Sequence, residues 1–228
     1  MASKFSALVR TFWASETFIE KLKSQVTSTE EISPGQLRQR GEMFLLTFLR
    51  GFKAKRVNLA DWEHVDVLTS SVCAVRFTLL ITDSKILVHG NVKDLRDIKA
   101  YFEAVALDGA GGEINFDDHY KINEPVVDFK KLCHDIEMWG SEPTPISIGI
   151  DSVLIKLGTI EHPIVKTSSY EDVMKLFDDG DRKILSMSLK LSGGIKLSVS
   201  NKGMVKLTSK DLDSVAMYDM GVQVSKLI

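Results

Sequence analysis

The stretch LSMSLKLSGGIKLSVSNKGMVKLT, Leu185 to Thr208, decides how this chain is read. Leu185, Met187, Leu189 and Leu191 alternate with Ser186, Ser188, Lys190 and Ser192. After Gly193-Gly194, Ile195, Leu197 and Val199 alternate with Lys196, Ser198 and Ser200. A period of two places successive side chains on opposite faces of a strand, so apolar residues gather on one face and polar ones on the other. Asn201-Lys202-Gly203 then turns the chain into Met204 to Thr208. Three strands joined by two short turns predict an antiparallel meander, with its leucines on the core side and its serines and lysines in water.

Outward from the meander the chain stays mainly β. Ile146, Ile148 and Ile150 alternate with Ser147 and Gly149, and Val153, Ile155 and Leu157 follow. Ser168 and Glu171 have the spacing of a capping box for a short helix through Val173, Leu176 and Phe177. A helix near Asp211 to Met220 and a strand near Val222 to Leu227 are expected at the other end. The segment Ser141 to Pro145 holds two prolines and is the best boundary.

Before that boundary, helical spacing prevails. Phe5, Leu8, Val9, Phe12, Ile19, Leu22 and Val26 recur at three and four residues, with a gap near Ser15, and predict a helix over about Ser3 to Val26. Ser33, Pro34 and Gln36 form a helix-start signature, Leu37, Gly41, Phe44, Leu45, Phe48 and Phe52 supply its apolar face, and Gly51 is a natural stop. Asn58 to Leu68 reads as a short helix. Val72 to Ile81 and Ile86 to Val88 read as a hairpin around Thr82 to Lys85. Leu95, Ile98, Phe102 and Val105 predict a helix from Asn91 to Gly109, and Val126, Phe129, Cys133 and Ile136 predict another from Asn123 to Gly140. The fold class expected is therefore α+β: a helical N-terminal part with one hairpin over 1–142, followed over 143–228 by a mainly antiparallel sheet with packed helices, as two lobes or as one compact unit.

Composition is that of an ordinary globular protein. Of 228 residues, 44% are hydrophobic and 26% charged, which excludes disordered, collagen-like and disulfide-stapled classes. The net charge of −2 hides an asymmetry. Residues 1–56 carry a net +5 and residues 57–228 a net −7. Cys73 and Cys133 lie outside any CxxC spacing and read as reduced thiols. Charges interrupt Met1 to Lys23, unlike a signal peptide, and no run approaches the ~18 apolar residues of a transmembrane segment. A cytoplasmic location is the expectation.

Chemistry-bearing motifs are few. Cys133 and His134 are neighbours on a helix and point roughly 100° apart. Glycine-rich phosphate loops, GxSxG, HExxH and CxxC are missing, so no catalytic residue and no cofactor is expected. Asp117, Asp118 and His119 sit in a Gly- and Asp-rich loop and are candidate metal or proton-transfer groups. Arg38, Arg40, Arg50, Lys53, Lys55 and Arg56, with Glu42 as the one acid among them, are candidate anion-binding residues.

Two functions follow. The first is a non-enzymatic assembly protein, homo-oligomeric, that binds nucleic acid or an anionic membrane surface through the basic segment. Apolar helices, a basic patch and no catalytic motif give the profile of small viral matrix, nucleocapsid and movement proteins, RNA-binding or membrane-associated; no motif identifies a family. The second is an enzyme or small-molecule or metal-ion binder using Asp117, Asp118 and His119.

Overall fold

The computed structural model describes residues 2–28, 33–53, 68–109, 113–139, 144–151, 164–165, 175 and 183–228. Its strands are β1 (Ser3–Ala14), β2 (Leu37–Arg40), β3 (Met43–Lys53), β4 (Leu68–Leu80), β5 (Lys85–Val88), β6 (Tyr120–Asn123), β7 (Thr144–Asp151), β8 (Ile164–Val165), β9 (Lys183–Lys190), β10 (Lys196–Ser200) and β11 (Met204–Ser209). Its helices are α1 (Glu16–Ser24), α2 (Val92–Leu107), α3 (Phe129–Met138) and α4 (Ser214–Lys226). The protein is thus mostly antiparallel sheet with four described helices, one of them at the C-terminal end. This overturns the expectation of a helical N-terminal part followed by sheet. The residues fall into two compact units: Met1–Trp13, Leu80–Asn91 and Lys121–Ile228 form the first, and Ala14–Leu79 with Val92–Tyr120 the second.

In the first unit the strands run in the order β5-β1-β11-β10-β9-β7-β8, and β6 pairs with β1. The meander has the expected register: Leu189 lies opposite Leu197, which lies opposite Leu207, and all three are buried. Helices α3 and α4 supply Phe129, Leu132, Ile136, Met217 and Val224 to the same core as Leu189 and Leu197. Side-chain oxygens of Asp128 and Asp213 cap the two helices by accepting from Lys131 N and Ala216 N. Gly221 lets α4 approach β1, since a Cβ there would meet the Phe5 ring at 2.4 Å. The segment Val222 to Leu227, expected as a strand, is mostly the last turns of α4. Met217, Gly221, Val224 and Ser225 share its buried face at helical spacing, which outweighs the β-branched valines.

Strand β1 overturns the first predicted helix. Phe5, Ala7 and Val9 are buried on one face, Leu8 and Phe12 on the other. From Ala7 to Phe12 the strand is covered on both sides, so it reads as a nearly continuous apolar run whose three- and four-residue spacings are accidental. The gap near Ser15 is the element boundary, where Ser15 Oγ accepts from Phe18 N at 3.2 Å and starts α1.

In the second unit, β2, β3 and β4 form an antiparallel sheet where a helix from Pro34 was expected. The Ser33/Gln36 signature forms its hydrogen bond, Ser33 N donating to Gln36 Oε1 at 3.2 Å. It closes a Pro34-Gly35 turn, however, with Gly35 at φ +81°, the conformation that favours glycine at the third position of a type II turn. Gly41, at φ +59°, and Glu42 then connect β2 to β3. Against this sheet the buried rings pack: Phe44 stacks on Phe77 at 5.1 Å, and Phe102 of α2 meets Phe77, Phe18 and Tyr120 edge-on. Helix α2 and strand β4 follow the sequence reading. Helix α3 starts at Phe129, later than expected, because Tyr120–Asn123 is taken into β6. The readings at Asn58 to Val67, Val153 to Leu157 and Ser168 to Phe177 lie outside the described residues except for Lys175, which is helical. Of the proposed boundary segment, Ser141 to Pro143 lie outside them too, whereas Thr144 and Pro145 begin β7.

Candidate anion-binding surfaces

The basic segment predicted as a helix is divided among strands. Arg38 lies opposite Leu45 of β3, and Leu45 lies opposite Arg76 of β4. Directly opposed residues point to the same side of a sheet, so Arg38 and Arg76 flank Leu45 on one face, joined by Arg40 two residues along β2. Arg40 and Arg76 are exposed and Arg38 is half-buried. On the same face Leu49 and Val72 oppose each other, both more than half exposed at 55% and 52%. The backbone of Arg50 pairs with Ser71 and that of Lys53 with Leu68. Lys55 and Arg56 lie outside the described residues. Arg76 is the member of this cluster that sequence reasoning missed, because only strand pairing brings it beside Arg38.

The Asp117 to His119 loop is a single 3₁₀ turn over Phe116–Asp118. Asn115 Oδ1 accepts from Asp117 N at 3.3 Å, and His119 O accepts from Ser15 N at 2.9 Å, so the loop holds the entry to α1. Asp117 and Asp118 are exposed and His119 half-buried. Among the described residues, no three His, Cys, Asp or Glu side chains are placed to hold a metal ion. The electrostatic mark of Asp117 falls on Tyr120, whose hydroxyl is pushed up to about 12 by burial first, then by Glu103 and Asp117.

Other polar groups are structurally engaged. Arg10, 5% exposed on β1, donates from Nη1 to Val9 O at 2.9 Å and to Lys202 O at 2.6 Å, and its Nη2 lies 3.7 Å from Glu124. Burial lowers its pKa and Glu124 opposes the shift. It fixes the β10–β11 turn to β1. There Gly203, at φ +74°, leaves no room for a Cβ, which would meet Val9 O at 2.6 Å. A cleft of about 490 Å³ in the second unit is lined by Gln25, Tyr101, Val105 and Asp108 among others. Gln25 Nε2 there donates to Asp108 Oδ2 at 3.5 Å, and Lys21 Nζ donates to Asp108 O at 2.7 Å.

Cys133 is wholly buried beside Met187, and burial, with Glu137 adding to it, pushes its thiol up to about 12. Since the thiolate is the nucleophile, Cys133 is inert near neutrality. A thiol reagent at about pH 8, well below that value, is expected to modify half-buried Cys73 in the native chain and Cys133 only after denaturation. Rapid labelling of both would contradict the burial of α3.

The other basic surface is the wet face of the first unit. Across β7, β9, β10, β11 and β1, one row of directly opposed residues reads Thr144, Lys190, Lys196, Thr208 and Lys4. The next row, two residues along except on β7, where a bulge makes the step three, reads Ser147, Ser188, Ser198, Lys206 and Ser6. Lys4, Lys190, Lys196 and Lys206 are exposed. Neither row contains an acid, and none of the four lysines forms an ion pair among the described residues. Lys190 faces Lys196 directly, a like-charge pairing that weakens a sheet. Ser188 and Ser198 hydroxyls are 2.7 Å apart between the charges. The sequence displayed three of these lysines in its alternation; Lys4 joins them only through its pairing with Thr208.

No protein-family model and no curated protein matches this chain.

Proposed function

We propose that the protein is a non-enzymatic binder of polyanions. The observation that carries this reading is the pair of acid-free rows holding Lys4, Lys190, Lys196 and Lys206. A sheet stabilised only by its own contacts gains from opposite charges across strands and loses from like ones. Here like charges are opposed with no neutralising carboxylate among the described residues, and an anionic partner removes the penalty. The Arg38, Arg40 and Arg76 cluster adds a second positive face, in the unit where the sequence placed its basic segment. Guanidinium groups suit phosphate and carboxylate oxygens through paired hydrogen bonds.

Retention on immobilised heparin, a generic polyanion, tests the reading. The full chain is expected to bind at low salt and elute as salt rises, because screening weakens exposed charges. Lys190→Ser with Lys196→Ser is expected to lower the eluting salt concentration most, and Arg40→Ser with Arg76→Ser less. Passage of the unaltered chain without retention would overturn the proposal.

A further inference from the structure

We infer that the lysine rows are a track for the phosphate backbone of a nucleic-acid duplex, an inference that rests on the polyanion reading above. Neighbouring strands lie about 4.8 Å apart, so Lys190, Lys196 and Lys4 mark a line of roughly 14 Å across β9 to β1. Lys206 stands two residues off that line, about 7 Å away. One strand of a duplex carries a phosphate every ~3.4 Å of axis, so a line of this length laid along the axis spans about four phosphates, with three lysines on it and Lys206 beside it. Beside the charges stand the hydroxyls of Thr208, Ser188, Ser198 and Ser6; Ser6 donates to Met204 Sδ at 3.9 Å and Ser188 and Ser198 share one hydrogen bond, so Thr208 and one hydroxyl of the serine pair are left to donate to phosphate oxygens.

What the rows lack selects the partner. They contain no aromatic side chain. A single strand exposes its bases and is held by stacking them on aromatic rings, an interaction this face does not offer. The rows also contain no large apolar side chain of the kind that enters a membrane interface, which leaves lipid only charge attraction. A duplex turns the faces of its bases inward and places its phosphate backbone outermost, where lysine and serine side chains on a flat sheet face meet it first. Such a face reads no base edges, so DNA and RNA duplexes are bound without sequence preference.

The experiment titrates the full chain into a labelled DNA duplex, an RNA duplex, a single-stranded homopolymer of equal length, and vesicles containing phosphatidylserine, each across a salt series. Both duplexes are expected to bind more tightly than the single strand or the vesicles. The log–log salt slope for a duplex is expected near 3.6, about 0.9 for each of four phosphates neutralised. Lys190→Ser with Lys196→Ser is expected to reduce it by about 1.8, and Lys4→Ser alone by about 0.9. Lys121→Ser, an exposed lysine on β6 outside the rows, serves as the control and leaves the slope unchanged. Stronger binding to the single strand or the vesicles, with heparin retention intact, overturns the duplex inference and spares the polyanion reading. A duplex slope unmoved by the lysine variants overturns the assignment to this face. Loss of binding to every probe and to heparin overturns both.

Discussion

Leu189→Asp is expected to abolish folding of the first unit, whereas Ser188→Asp leaves it folded. The two residues are adjacent on β9 and point to opposite faces, Leu189 into the core at 1% exposure and Ser188 toward the lysine rows. Removing the leucine forfeits roughly 1.5–3 kcal/mol of burial. An unpaired carboxylate among Leu197, Leu207 and Met187 costs several kcal/mol more. Together these consume most of the ~5–15 kcal/mol by which a domain is stable. At position 188 the same carboxylate lies on the lysine face, one residue pair from Lys190 and Lys196, and it should weaken heparin retention while the thermal transition persists. Circular dichroism melts of the two variants check this; equal tolerance would mean that the face assignment of β9 is wrong.

The second large effect is expected at Phe102. It is wholly buried and meets three rings, Phe18, Phe77 and Tyr120, at centroid distances of 5.4, 5.7 and 5.4 Å. Phe102→Ala opens a cavity costing about 3–5 kcal/mol. Each lost edge-to-face contact adds ~0.5–1.5 kcal/mol where the surroundings do not relax. Phe44→Ala removes a ring that stacks on Phe77 alone among these contacts, at a site 4% exposed, and should cost less. Urea denaturation of the two variants ranks them. Equal losses would remove Phe102 from the centre of this core.

Legibility followed water. The strands β9, β10 and β11 were readable because one side is solvated, so Ser188 and Lys196 interrupt the leucines at every second place. Strand β1 was misread because both its sides are covered from Ala7 to Phe12, and β3 because Leu46 is buried on one of its faces and Thr47 on the other. At Ser33 the local chemistry was right and its context wrong, since the same hydrogen bond closes a turn or starts a helix. The candidate surfaces were half legible for a different reason. Arg38 and Arg40 are neighbours in sequence, but Arg76 reaches them through β3, and Lys4 reaches Lys196 through β11. No periodicity within one segment encodes a neighbour supplied by strand pairing.

Strand β1 also governs the order in which the protein can be completed. Leu8 to Thr11 pair with β5, but Ser3 to Leu8 pair with β11, made almost the whole chain later. At ~5–20 residues per second of translation, that edge waits roughly ten to forty seconds for its partner. Throughout the interval its amides and carbonyls are an open template for another nascent chain. Polysome crowding, ribosomal pausing before Met204 and the availability of a holdase should therefore affect yield through Ser3 to Leu8, which is synthesised well before its partner.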